Sequence, residues 1–181
     1  MNQVTTSPDT GLINKICAFI NSIGIKCYEG TIPESTFLPG VEIVCGQLVY
    51  NSELLTYPGD LLHEAGHLAV LLPEHRLLAN GSENMSGYLH EGGAEMAAIA
   101  WSWASREYLG LADEAVFHPG GYKNSSASII SSFRSTNIGT IMGVPLLQWM
   151  GMTRENKRGI DATEAVFPKM SRWLRQGQNL L

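Results

Sequence analysis

One stretch restricts the fold more than any other. Residues 61–72, LLHEAGHLAVLL, place two histidines and a glutamate inside an otherwise apolar run with helical length. Leu61, Leu62, Leu68, Val70, Leu71 and Leu72 leave this helix no broad polar face, so it belongs in the interior. Ionisable side chains carried inside are costly unless something compensates them. Residues i and i+4 of a helix project from one face, which sets the rings of His63 and His67 a turn apart. Two imidazoles so placed can take two corners of a zinc tetrahedron. Glu64, next to the first histidine, is then positioned as a general base toward water at the metal. With only five histidines in the chain, the HExxH pattern arises by accident in about 1 % of such sequences. Gly66 inside the motif lowers helix propensity by about 1 kcal/mol relative to alanine. Its presence predicts that another backbone comes close at that point.

The rest of the composition narrows the class. The 181 residues suit one domain spanning 1–181, 44 % hydrophobic and 16 % charged, a globular mixture rather than a disordered or fibrous one. A net charge of -5 and a pI near 5.5 argue against nucleic acid or an anionic membrane as partner. The basic cluster RENKR (154–158) reads as a solvated turn. No run approaches the ~20 apolar residues of a membrane span, and the N-terminus lacks the pattern of a signal peptide. Cys17, Cys27 and Cys45 are odd in number, irregular in spacing and without a CxxC pair. They are expected as buried reduced thiols, with neither a disulfide framework nor a thiolate metal site, in a cytoplasmic protein.

Periodicity predicts a helix over 11–24 ended by Gly24, and a short strand in the turn-rich segment 25–40. VEIVCGQLVYN reads as a β-hairpin about Cys45-Gly46. Asp60 is expected to cap the HExxH helix and Pro73 to stop it. A long helix follows from about His90 to Tyr108, then a polar loop over 118–128. Further helices are expected in SIISSFRS, VPLLQWMGM and ATEAVFPKMSRWLRQGQ. The four tryptophans, Trp101, Trp103, Trp149 and Trp173, are expected in the core, and His75 at the surface. The expected fold class is α+β: mostly helical and zincin-like, with a small β-hairpin or sheet beside the HExxH helix.

Two histidines do not complete a metal site. The metzincin pattern needs a histidine six residues after His67, where this chain has Pro73. The alternative is a glutamate on a following helix, and LHEGGAEMAAIAW (89–101) supplies Glu91. Gly92 and Gly93 make sense there if this turn presses against the HExxH helix. Glu95 lies one turn further on the same face, where it can accept a histidine N–H and fix its tautomer. At this point HEAGH…HEGGAE resembles the gluzincin class of zinc metallopeptidases, which includes thermolysin-like and M1-type aminopeptidase families. Those families pair HExxH with a later N-E-x-x-x-D or N-E-G-x-A-E segment. The resemblance implies His63, His67 and Glu91 as zinc ligands, Glu64 as general base and Glu95 as an outer carboxylate, with His90 standing where the family carries asparagine. The same segment is similar to the metal helix of the small ImmA/IrrE-like metallopeptidases. About forty residues carry the likeness.

An oxyanion-stabilising group is also needed. The loop FHPGGYKN offers His118 and Tyr122, with Arg134 and Tyr88 as further candidates. The hairpin, by the same resemblance, would bind extended peptide along an edge strand. The function expected is zinc-dependent hydrolysis of a peptide or protein substrate. A non-catalytic zinc protein, with His90 or His118 as a fourth ligand, and a non-peptide amidohydrolase are the alternatives.

Overall fold

The computed structural model describes residues 9–33, 36–81, 91–135, 141–155 and 165–177, with the backbone alone at 91 and 92. The chain is α+β. Helix α1 (Thr10–Ser22) is capped by the Asp9 carboxylate, which accepts from the Leu12 N–H at 3.2 Å. Its Ile13, Ile16, Phe19 and Ile20 form the buried stripe that the periodicity predicts. Three short strands follow: β1 (Cys27–Glu29), β2 (Val41–Val44) and β3 (Gln47–Tyr50). The hairpin forms as expected, antiparallel from Val41↔Tyr50 to Val44↔Gln47. Its turn residues Cys45 and Gly46 both have positive φ, 46° and 72°, which matches the twist of the flanking strands. The sheet order is β1-β3-β2, with β1 parallel to β3.

Helix α2 (Asp60–Val70) carries the HExxH motif, and every one of its residues is buried. Pro73 does not merely end it but opens a short helix, α3 (Pro73–Arg76). Arg76 turns back from there: its Nε donates to Leu68 O and its Nη2 to Leu71 O, both at 2.9 Å. A guanidinium thus closes the orphan carbonyls at the C-terminus of α2. Helix α4 (Glu91–Leu109) lies along α2, and α5 (Ser126–Arg134) and α6 (Val144–Trp149) complete the helical part. Among the described residues no helix is long and apolar enough to cross a membrane.

The approach of α2 to α4 explains Gly66. A Cβ there would lie 2.9 Å from the Ala98 carbonyl oxygen and 3.3 Å from Ala98 Cα. Ala97, Ala98, Ala100 and Ala104 keep α4 thin, and all four are fully buried. At the seam the Ser102 hydroxyl bonds back to Ala98 O of its own helix at 2.7 Å and faces Leu62 O of α2 at 3.4 Å. Of the two glycines expected to press on α2, Gly93 does not make this contact, since a Cβ there would meet only Leu146, at 3.9 Å; the surroundings of Gly92 lie outside the described residues.

Four further expectations fail, the first being burial of all three cysteines: Cys45, in the hairpin turn, is exposed. Residues 165–177 form no helix; their main-chain groups are committed elsewhere. Arg175 N–H donates to Ala69 O at 2.9 Å, Trp173 O accepts from Trp101 Nε1 at 2.9 Å, and Phe167 N–H donates to Arg154 O at 2.9 Å. The segment is a strap across α2 and α4, and tertiary hydrogen bonds override its helical pattern. Trp149 is 63 % exposed, with the Arg175 guanidinium over its ring. Asp60 does not cap α2, whose N-cap Gly59 has no side-chain bond. Its carboxylate faces inward.

Gly66→Ala separates two effects of opposite sign. Helix propensity alone favours alanine by about 1 kcal/mol, whereas overpacking the α2–α4 seam costs ~1–3 kcal/mol. Net destabilisation is expected, read as a lower urea midpoint at unchanged slope. A stabilised variant would remove the close approach.

Candidate metal centre

Burial of α2 on all sides leaves its ionisable groups facing one another. His63 and His67 are each 9 % exposed and Glu64 only 4 %. The two histidines turn their Nε2 atoms together, 3.1 Å apart, with ring planes at 79°. One ligand atom from each of His63, Glu64 and His67 lies within 4.8 Å of the others, a group that can hold a metal ion.

From α4, Glu95 reaches the same point. Its Oε2 is 3.3 Å from His67 Nε2 and its Oε1 3.7 Å from His63 Nε2. Ligand atoms about 2.0–2.1 Å from a tetrahedral ion stand roughly 3.3 Å from one another. The three separations straddle that value, so the donor set fits a small divalent cation. Glu95 therefore approaches the Nε2 atoms that converge, not the outer Nδ1 side of a ring. Glu91 begins α4 one turn earlier; its side chain lies outside the described residues, as do His90 and Tyr88.

The loop expected to reach the site does so by a sharp turn. Tyr122, Lys123 and Asn124 have φ of 53°, 51° and 65°, three successive left-handed residues without a glycine. Each such residue costs on the order of 1 kcal/mol, and strain of this kind persists only where the surroundings hold it. The turn carries the Tyr122 hydroxyl to 3.2 Å from His63 Nδ1. His118, 6 % exposed, lies with Nε2 at 3.1 Å from Asp60 Oδ1 and its ring stacked on Tyr57 at 3.6 Å. Its backbone carbonyl accepts from Ser126 Oγ at 2.7 Å. Both candidates for the oxyanion thus have partners within the protein, one on the outer nitrogen of His63. Arg134 is away from the site, bonded to Asp113 at 2.7 and 3.0 Å.

Sequence reasoning missed the place of Asp60 and Tyr57 in this cluster. A signal existed for the aspartate: positions 60, 63, 64 and 67 follow the 3–4 spacing of one helical stripe.

The charge states follow from burial and contact. Burial, reinforced by His67, lowers His63 to about 3, so the ring is neutral. Burial pushes Glu64 up to about 7. For His67, burial acts downward, but the hydrogen bond with Glu95 and the charges of Glu64 and Glu95 outweigh it, raising the ring. Glu95 is held below its usual range, because His67 and His63 outweigh the upward effect of burial. The Glu95 carboxylate thus favours the protonated form of His67. Burial also raises Tyr122 well above its usual range, so its hydroxyl stays protonated. No protein-family model matches the chain, and no curated protein or solved structure does either.

Glu64 makes stability depend on pH in the metal-free protein. Its folded pKa, about 7, exceeds the unfolded value, so its contribution is fully present below about 4.3 and lost as pH rises through 7. Glu64→Gln removes that loss. In chelator the variant is expected to gain about 3 kcal/mol relative to wild type on moving from pH 4 to pH 8, read from urea unfolding at both values. An equal difference at both pH values would mean that burial does not perturb this carboxylate.

Proposed function

We propose that the protein is a metal-dependent hydrolase of peptide bonds, with zinc held by His63, His67 and Glu95. The observation that carries this reading is the convergence of two Nε2 atoms and the Glu95 carboxylate beside the buried carboxyl of Glu64. A site serving only to hold a metal has no use for that last group. Glu95 also keeps its side chain 45 % exposed, which supports a centre reached by solvent and substrate rather than a closed structural one. The resemblance to gluzincins implies Glu91 as the third ligand, and the side chain of Glu91 lies outside the described residues; Glu95 is taken instead because its carboxylate stands 3.3 and 3.7 Å from the two Nε2 atoms.

Zinc in this set would supply Lewis-acid polarisation of a water and of the substrate carbonyl. The protein's own groups do the proton work. A nearby cation draws Glu64 down from about 7, so that it is an ionised base at neutral pH. Glu64 then accepts a proton from the attacking water and returns it to the leaving nitrogen. The Tyr122 oxygen, 3.2 Å from His63 Nδ1, would accept from Nδ1–H in the tautomer that leaves the Nε2 lone pair for the metal, and it orients the ring. His118 acts at one remove: its bond to Asp60 and its stack on Tyr57 anchor the turn that carries Tyr122. We assign both residues to positioning.

The test uses zinc-loaded protein and a library of quenched-fluorescent peptides. Wild type is expected to cleave members of the library, and Glu64→Gln to lose at least about 10²-fold in rate with zinc content unchanged. Equal rates in the two proteins would remove Glu64 as base. Zinc-loaded wild type that cleaves nothing would overturn the peptidase reading while leaving the metal site standing.

A further inference from the structure

Away from the metal centre, α1 and β1 bring two thiols together. Cys17 lies on α1 and Cys27 opens β1, and their Sγ atoms are 3.0 Å apart. Both are reduced and buried, with 8 % and 6 % exposure. Their backbones are clamped by one side chain. Asn21 Nδ2 donates to Cys17 O and to Cys27 O, each at 2.9 Å, and Cys27 N–H donates to Asn21 Oδ1 at 3.1 Å. The pair is thus held in register by contacts that do not involve sulfur. Tertiary structure pairs two cysteines whose spacing in sequence fits no motif.

We propose that Cys17 and Cys27 are a reversible oxidation site, closing to a disulfide with a hydroperoxide as oxidant. The Cys17 sulfur attacks the peroxide, the O–O bond breaks, and Cys17 becomes a sulfenic acid as one water (or alcohol) leaves. Cys27 then attacks Cys17 Sγ, the S–O bond breaks, and a second water carries away the remaining proton. Two thiols lose two electrons in total and the peroxide gains them. Assignment of the first attack to Cys17 agrees with the thiol of Cys27 donating toward it, which holds Cys17 below its ordinary range; the same bond, with burial, pushes Cys27 up. A small neutral oxidant suits sulfurs this far buried, whereas the exposed Cys45 is open to any thiol reagent and has no cysteine beside it. The disulfide would tie α1 to the edge strand of the sheet.

The experiment treats Cys45→Ser protein with hydrogen peroxide, then alkylates it in denaturant and digests it with trypsin. Cleavage after Lys15 and Lys26 puts the two cysteines on separate peptides. The expected result is a protein lighter by two hydrogens, one cross-linked species joining those peptides, and loss of the cross-link on adding dithiothreitol. Oxidation is also expected to raise the thermal midpoint by roughly 5 °C. Wild type gives the same information after a second protease cuts at Glu29, separating Cys27 from Cys45. Both thiols still alkylated after peroxide, or Cys17 driven to sulfinic acid with Cys27 free, would overturn the proposal.

Discussion

Everything about this molecule turns on a helix that carries its charges inward. Helix α2 is buried on all sides, yet Asp60, His63, Glu64 and His67 all lie on it. Such groups are stable there only if they answer one another or share a cation. The close seam with α4 meets that requirement, because it brings the Glu95 carboxylate to both imidazoles. Gly66 and the alanines of α4 are the steric condition for it. The candidate metal centre and the core thus depend on the same seam.

Around that seam the structure adds support from distant parts of the chain. Arg76 closes the carbonyl end of α2, and Arg76 Nη2 also donates to Arg175 O at 2.9 Å, fastening the C-terminal strap. On the other side, the left-handed turn at 122–124 brings a hydroxyl to the outer nitrogen of His63. Outer partners of this kind orient a ligand ring and hold its tautomer. The Asp60–His118 pair stands behind that turn, so the polar groups form a continuous series from the N-terminus of α2 to its middle.

Much of this was legible in the sequence, for identifiable reasons. HExxH is a local pattern on one helix, so spacing alone gives its geometry. The misplacement of glycine at 66 announced a close backbone, and the hairpin at Cys45-Gly46 needed only alternation and a turn. Information that depends on how distant segments meet was not legible. Glu91 and Glu95 share a helical face, and choosing between them requires the rotation and height of α4 against α2. The strap at 165–177 has a helical pattern but spends its main-chain groups on Ala69, Trp101 and Arg154. The approach of Cys17 to Cys27 depends on Asn21 and on β1 joining the sheet, neither of which leaves a mark in cysteine spacing.

If α2 and α4 together build a metal site, zinc binding will depend on residues of both helices. Zinc would be titrated by calorimetry into chelator-treated wild type, Glu95→Gln and Glu91→Gln, with circular dichroism to confirm that each is folded. About one zinc per wild-type chain is expected, with affinity lowered at least tenfold in Glu95→Gln and near wild type in Glu91→Gln. Zinc binding lost in Glu91→Gln and intact in Glu95→Gln would contradict the assignment of the third ligand. A folded wild type that takes up no zinc would contradict the site itself.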